Sequence, residues 1–365
     1  MSDKLKGIRK LIKKNNLDVL LVTNPQNRRY LSGFTGTGGV LLISVDKALL
    51  VTDFRYTEQA AAQADQFEVK LWKEDLYQNL AVIVREYGWE KIGFEAKNVV
   101  FSTYREMQDK LPGELVAVET SAEELRMVKD EKELELLSRA AELLDRAFGY
   151  LLEIIRPGMT EQELALELEI YLLKSGAEKR AFNYIVASGI RGAMPHGTAS
   201  SKVMQDGELV TIDFGAVFDG YATDMTRTVS LGEPDEKQRE VYDIVYRAQK
   251  NAAEAIRPGL KGFEIDTVAR DIITEAGYGE QFGHGLGHGV GLETHEQPVL
   301  NPKSKTILKA GMVVTVEPGI YIPGWGGVRI EDMVVVTKEG MSVLTKSPRE
   351  LTVIQTENRE GRILQ

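Results

Sequence analysis

The sequence predicts an α/β domain over residues 1–122, followed by an internally duplicated α+β domain over residues 123–365. Three observations carry this. Short helical and strand patterns alternate through the first third. A charged bridge, "TSAEELRMVKDEKE", then leads into one long helical pattern from Asp130 to Ile155. Beyond it, whole segments recur about a hundred residues apart. A chain of 365 residues is long enough for two such cores.

The elements of the first domain read off in order. "LKGIRKLIKKNN" has helical spacing, and "DVLLVT" is strand-like. "GGVLLISVDKALLVTDF" reads as a hairpin that turns at Asp46-Lys47. "YTEQAAAQA" is helical, "FEVKLW" a strand, "LYQNLAVIVREYG" a helix and "KIGFE" a strand. "STYREMQDKL" and "ELVAVE" add a last helix and strand.

The second domain carries the repeat. "IRPGMTEQELALELEIYLLKSGA" starts at Ile155, and "IRPGLKGFEIDTVARDIITEAGY" starts at Ile256. Each follows a helix, breaks at Pro-Gly, and resumes a helix that ends in a glycine turn. Further on, "GELVTIDFG" from Gly207 parallels "GMVVTVEPG" from Gly311. That alignment sets Asp213 opposite Glu317. "GYATDMTRT" and "GGVRIEDMV" likewise set Asp224 opposite Glu331. Two matched helices, a matched strand and two matched acids make a duplication.

Composition excludes several classes. Hydrophobic content of 43% and charged content of 27% are those of a soluble globular protein. A net charge of −10 disfavours nucleic acid and anionic membranes as partners. There is no cysteine, hence no disulfide, thiolate zinc site or cysteine nucleophile. The start is a charged amphipathic helix rather than a signal peptide, and no apolar run is long enough to span a membrane. A cytoplasmic protein is expected.

Asp213, Asp224, Glu317 and Glu331 each interrupt or end an apolar strand. A buried, unpaired carboxylate is costly and must meet a cation or a hydrogen-bond network. Singly, each reads as a strand-end acid or a salt bridge. Together they outnumber the two neighbouring cations, Arg227 and Arg329. Two divalent ions would balance four carboxylates. An oxygen-rich site with at most one imidazole suits Mn²⁺, Co²⁺ or Fe²⁺.

Three of the four histidines lie in "FGHGLGHGVGLETHE", Phe282 to Glu296. The interleaved glycines make a helix improbable, and neither HExxH nor GxGxxG occurs. Glycines spaced by two clear one face of an extended chain, so backbone can approach closely there. The fourth histidine, His196, sits in "MPHGTAS" of the first repeat, also beside glycine.

"IDFGAVFDGYATDMTRT", "GHGLGHGVGLETHE", "VVTVEPGIY" and "VRIEDMV" resemble the signature segments of the creatinase/aminopeptidase P/prolidase family of pita-bread metallopeptidases. The resemblance covers Asp130 to Ile354 and implies a creatinase-like N-terminal domain before a pseudo-two-fold pita-bread domain. Asp213, Asp224, His288, Glu317 and Glu331 fall on that family's five metal-ligand positions. By the same resemblance, Asp213 binds one ion, Asp224 and Glu331 bridge both, and His288 and Glu317 complete the second. Glu317 is also implied as the base, His295 as the stabiliser of the oxyanion, and His196 and His284 as substrate contacts. Tyr321 and Arg329 match supporting positions in the pocket. The family implies two divalent ions (Mn²⁺ first, with Co²⁺, Fe²⁺ or Zn²⁺ as alternatives), proline-containing peptide substrates cleaved before proline, and a homodimer. Retention of all five ligand types argues against a metal-free creatinase and against a non-catalytic binding module. The N-terminal domain argues against a methionine aminopeptidase. "HEQPVL" puts Val299 and Leu300 where some prolidases carry an arginine, which leans toward an aminopeptidase accepting longer peptides.

Overall fold

The computed structural model describes residues 3–355, which divide into two compact units that part after Arg126. The sequence alone placed this boundary at Ala122. The difference lies in a short helix, Glu123–Arg126, whose Arg126 is buried and donates to Asn27 Oδ1 at 2.8 Å within the first unit.

The first unit holds strands β1 (Val19–Val22), β2 (Val40–Ser44), β3 (Ala48–Thr52), β4 (Glu68–Leu71), β5 (Lys91–Glu95) and β6 (Glu114–Val118). They form one sheet in the order β4-β3-β2-β1-β5-β6. The β2–β3 hairpin turns over Val45–Lys47, where the sequence placed it. Helices α1 (Asp3–Lys14), α2 (Pro25–Ser32), α3 (Thr57–Gln63), α4 (Leu76–Glu86), α5 (Phe101–Lys110) and α6 (Glu123–Arg126) flank the strands. Helix α1 buries Leu5, Ile8 and Ile12, spaced three and four apart as one helical face. Helix α2 was not read from the sequence. It buries Asn27, Arg28 and Ser32 beside Tyr30 and Leu31, and two adjacent apolar residues make no helical stripe.

The second unit repeats one plan twice. In the first half, helices α7 (Glu131–Ile154) and α8 (Glu161–Lys174) precede strands β7 (Lys179–Arg180), β8 (Ile185–Ser188), β9 (Leu209–Phe214), β10 (Ala216–Phe218), β11 (Tyr221–Ala222) and β12 (Met225–Leu231). In the second, α9 (Glu236–Ala255) and α10 (Gly262–Glu275) precede β13 (Gly287–Gly289), β14 (Glu296–Leu300), β15 (Val313–Val316), β16 (Gly319–Ile322), β17 (Gly326–Arg329), β18 (Asp332–Val336) and β19 (Met341–Val343), and a last strand, β20 (Thr352–Ile354), returns to pair with β12 of the first half. Helices α7, α8 and α9 each begin with a capping box, at Asp130/Glu133, Thr160/Glu163 and Asp235/Gln238.

Each half packs its helix pair on an antiparallel strand pair, β9–β12 or β15–β18. Leu144, Phe148, Leu164 and Leu168 meet Val210, Ile212, Phe214 and Val229 in the first core. Val245, Ala248, Ile265 and Ala269 meet Val314, Val316 and Val334 in the second. Strand residues alternate between faces. Residues 210, 212 and 214 therefore turn toward the helices, and Asp213 turns away. By the same count Asp224, Glu317 and Glu331 also fall on the helix-distal face. The duplication thus delivers all four acids to equivalent faces of two sheets.

The glycine-rich stretch forms β13, not a helix, inserted between β14 and β15. A Cβ on Gly287 would collide with the carbonyl oxygen of Thr315, and one on Gly289 with that of Gln297. These glycines let β13 approach its neighbours, while a Cβ on Gly283 would meet nothing within 4 Å. Gly287→Ala should therefore destabilise the protein by about 1–3 kcal/mol, the usual range for overpacking. Gly283→Ala should be nearly silent. Denaturant midpoints of the two variants test this, and equal midpoints would contradict the packing argument.

Candidate metal centre

All ten residues singled out in the sequence line one cleft of about 790 Å³ in the second unit: Asp213, Asp224, His288, Glu317, Glu331, His196, His284, His295, Tyr321 and Arg329. Asp213 lies within β9. Asp224 and Glu331 each immediately precede a strand, β12 and β18. Glu317 immediately follows β15, and His288 is the middle residue of β13.

The tightest group is Asp224, His288 and Glu331. One ligand atom from each lies within 4.8 Å of the other two, the geometry of a metal-binding trio. Asp213 and Glu317 flank it on partners of their own. Asp213 Oδ2 accepts from Arg329 Nη2 at 2.6 Å. Glu317 Oε1 accepts from Thr315 Oγ1 at 3.1 Å and lies 3.3 Å from His288 Nε2. Thr226 Oγ1 donates to Glu331 Oε2 at 2.7 Å.

Only one of the two candidate cations takes part. Arg329 joins Asp213 directly. Arg227, fully buried, pairs instead with Asp332 at 2.7 Å. Strand alternation explains this: Arg227 sits one step from Thr226 and so points to the helix side, where Gln249 of α9 also donates to Asp332. Four carboxylates therefore share one arginine. Asp213 Oδ1 and Asp224 Oδ1 are buried without any hydrogen-bond donor. Such atoms are costly unless a cation meets them.

Burial drives the acidities. It pushes the Asp224 and Glu331 carboxyls well above the usual range, and neighbouring carboxylates add to the rise. Burial also raises Asp213, against the pull of Arg329. Glu317 goes the other way. Burial alone would raise it, but hydrogen bonding and charge from His288 outweigh that and hold it at about 2.

The histidine tautomers follow from their partners, since a carbonyl only accepts. His288 Nδ1 donates to Gly289 O at 3.0 Å, so its Nε2 faces Glu317 at 3.3 Å and Asp224 at 3.7 Å. A bare lone pair there would be repelled, so that nitrogen needs a proton or a metal. His284 Nδ1 donates to Gly285 O at 2.7 Å. Its Nε2 accepts from Tyr321 Oη at 2.9 Å, and Tyr321 Oη accepts from Arg329 Nη1 at 2.8 Å. Burial lowers the His284 pKa, which fits a neutral ring. His295 is exposed at the cleft, with its ring centroid 4.3 Å from that of His288. His196 is also exposed there, and Arg329 Nη1 donates to the adjacent Pro195 carbonyl at 3.2 Å.

Sequence reasoning missed Thr226 and Thr315, which hold two of the acids. The signal was present in the repeat, because Thr315 of "VVTVEPG" aligns with Thr211 of "LVTIDFG". It missed Phe182 and Asn183 of the cleft wall as well. Their segment carries no repeated or unusual pattern.

This buried, oxygen-rich donor set with one imidazole fits divalent metal ions. The signature of metallopeptidase family M24 matches residues 135–338, and that of the creatinase/prolidase N-terminal domain matches residues 4–128. The chain belongs to metallopeptidase family M24. An Xaa-Pro dipeptidase of Pyrococcus horikoshii is 41% identical over 356 residues, covering 96% of this chain and 99% of that one. The solved Xaa-Pro dipeptidase from Bacillus anthracis is 47% identical, with a TM-score of 0.94 over 96% of this chain and 99% of its own. The X-Pro aminopeptidase from Thermotoga maritima is 42% identical, with a TM-score of 0.88 over 94% and 100%. The fold is thus the N-terminal and catalytic pairing that the sequence resemblance implied. Among the described residues no helix is long and apolar enough to cross a membrane.

Without a cation, Asp224 and Glu331 favour their protonated forms, so an incoming divalent ion must displace protons. Mn²⁺ affinity should therefore rise with pH above the ordinary carboxylate range. Titration calorimetry across several pH values and buffers of different ionisation heat measures both affinity and proton release. Affinity that is flat or falls as pH rises would contradict the burial argument.

Proposed function

We propose that this chain is a metallo-exopeptidase that hydrolyses the bond between an N-terminal residue and proline, with two divalent ions held by Asp213, Asp224, His288, Glu317 and Glu331. The observation that carries this is four carboxylates, three of them buried, that gather around the His288 imidazole in a single cleft with one arginine among them. Mn²⁺ suits the donor set best, with Co²⁺, Fe²⁺ and Zn²⁺ next. In this reading Asp213, Asp224, Glu317 and Glu331 would hold the ions through carboxylate oxygens and His288 through its Nε2, which already faces Glu317 and Asp224.

When bound, the ions supply Lewis acidity that activates water and polarises the scissile carbonyl. Glu317, held ionised, takes the proton from that water and returns it to the leaving nitrogen. Return of a proton matters here because the proline nitrogen is a tertiary amide with no hydrogen of its own. His295 reaches over the cleft to donate to the developing oxyanion. His196 and His284 contact substrate. Arg329 fixes Asp213 and Tyr321, and through Tyr321 sets the His284 tautomer.

Arg329 is the only arginine or lysine among the described residues lining the cleft, and it is engaged by Asp213 and Tyr321. No second cation of the cleft wall stands ready for the free carboxylate of a dipeptide. This favours an aminopeptidase that also accepts tripeptides, the direction in which Val299 and Leu300 also lean. A homodimer in a reducing compartment completes the proposal, on the family resemblance and the lack of cysteine.

Rates on Ala-Pro, Ala-Pro-Ala, Ala-Ala-Ala and acetylated Ala-Pro-Ala, with Mn²⁺ or Co²⁺ added, test the substrate. Cleavage should need proline after the scissile bond and a free amino terminus before it. Equal rates on Ala-Pro-Ala and Ala-Ala-Ala would replace this with a general aminopeptidase. The histidines separate by role. His288→Ala should lose metal affinity together with activity. His295→Ala should keep both ions and a near-normal KM while kcat falls about 10²–10³-fold. Elemental analysis with steady-state kinetics reads both, and a metal-deficient His295→Ala would remove the role given to it.

A further inference from the structure

Two buried carboxylates outside the metal cluster make the same kind of contact. Glu161, the first residue of α8, is 0% exposed. Its Oε1 accepts from the main-chain N–H and the Oγ of Ser188, both at 2.9 Å. Its Oε2 accepts from the N–H of Ser200 at 3.0 Å, from Ser200 Oγ at 2.7 Å, and from the Arg191 guanidinium. Arg191 in turn donates to the carbonyls of Val186 at 3.3 Å and Thr198 at 2.8 Å. Ser188 and Ser200 are the two ends of the segment that carries His196.

Asp266 of α10 is 1% exposed. Its Oδ1 accepts from the N–H of Leu286 at 3.0 Å. Arg270 grips it through two bonds, at 2.8 and 2.9 Å. Arg270 also donates to the carbonyls of Phe282 at 2.9 Å and His284 at 2.8 Å. These bonds bracket His284.

A buried carboxylate–arginine pair is a poor source of stability, because desolvation offsets much of its attraction. Its value lies in direction. Here the bonds not spent on the pair go largely to main-chain groups on both sides of a cleft histidine. The arrangement occurs once in each repeat, yet not at aligned positions. Glu161 aligns with Gly262, and Asp266 aligns with Ala165. Inheritance of one ancestral side chain therefore does not account for it. Each half has acquired its own clamp.

We propose that Glu161–Arg191 and Asp266–Arg270 are positioning pairs that hold the main chain around His196 and His284, so that both imidazoles meet substrate in a fixed geometry. The inference rests on the reading of those histidines as substrate contacts. Small displacements of groups that orient substrate cost roughly up to 10²-fold in rate. Loss of the Glu161 clamp should act through His196 and leave the metal cluster alone, whereas Leu286, held by Asp266, also accepts from the main-chain N–H of Glu317.

The test is a double-mutant cycle on Glu161→Gln and His196→Ala, read as kcat and KM on whichever of Ala-Pro and Ala-Pro-Ala the enzyme cleaves, with manganese content measured in parallel. Glu161→Gln should lower kcat/KM by roughly ten- to a hundredfold at unchanged metal content. In the His196→Ala background the same change should add less than about a twofold loss, because the group it positions is already gone. An equal loss in both backgrounds, or loss of metal from Glu161→Gln, would overturn the clamp. Normal turnover by His196→Ala alone would instead overturn the substrate role of His196, and the clamp with it. If Glu161→Gln does not fold, Arg191→Gln, at a partly exposed side chain, carries the same cycle. Asp266→Asn with His284→Ala repeats it in the second half.

Discussion

Four carboxylates on the helix-distal faces of two sheets, with one arginine among them, are the constraint on which the second unit depends. Burial makes their charge expensive, and neighbouring acids make it more so. Arg329 offsets one charge at Asp213, and His288 offsets part of another at Glu317. Two oxygens, on Asp213 and Asp224, still lack any donor. A protein gains nothing in stability from such a cluster, so the cluster exists for what it binds. Divalent ions satisfy the charge, the empty lone pairs and the His288 nitrogen together.

The rest of the unit serves that arrangement. Period-two alternation sends apolar strand residues to the helices and acids to the opposite face. The glycines of β13 let a third strand press close enough for His288 to join Asp213 of β9 and the acids at the ends of β12, β15 and β18. Thr226 and Thr315 fix carboxylate orientation. The chain from Arg329 through Tyr321 to His284 sets one imidazole neutral. The carboxylate–arginine pairs of α8 and α10 tie down the two segments that carry His196 and His284. Arg329 links the two groups, gripping Asp213 directly and His284 through Tyr321.

Much of this was legible in the sequence, for one physical reason. A duplication turns each isolated acid into a matched pair, and a matched pair in apolar strands has few explanations. The four acids followed from that, His288 joined them through the family resemblance, and the interleaved glycines pointed to an extended chain rather than a helix. Arg227 was also readable in hindsight: it stands one residue out of phase with Asp224 and Thr226, so it faces the helices. Helix α2 was not legible, because most of what it buries is polar (Asn27, Arg28 and Ser32) and its two buried apolar residues, Tyr30 and Leu31, are adjacent rather than spaced along one face. The boundary shifted from Ala122 to Arg126 because a long-range bond to Asn27 holds α6 in the first unit. Glu161 and Arg191 lie thirty residues apart, and the repeat sets Gly262 rather than an acid opposite Glu161, so no local pattern could join them.

The central claim is that these five side chains hold a pair of divalent ions. Anomalous diffraction from crystals of the Mn²⁺-loaded protein tests it most directly. The account predicts two peaks about 3.5–4 Å apart, with Asp224 and Glu331 between them and His288 on one. A single peak, or peaks away from Asp213, Asp224, His288, Glu317 and Glu331, would contradict it.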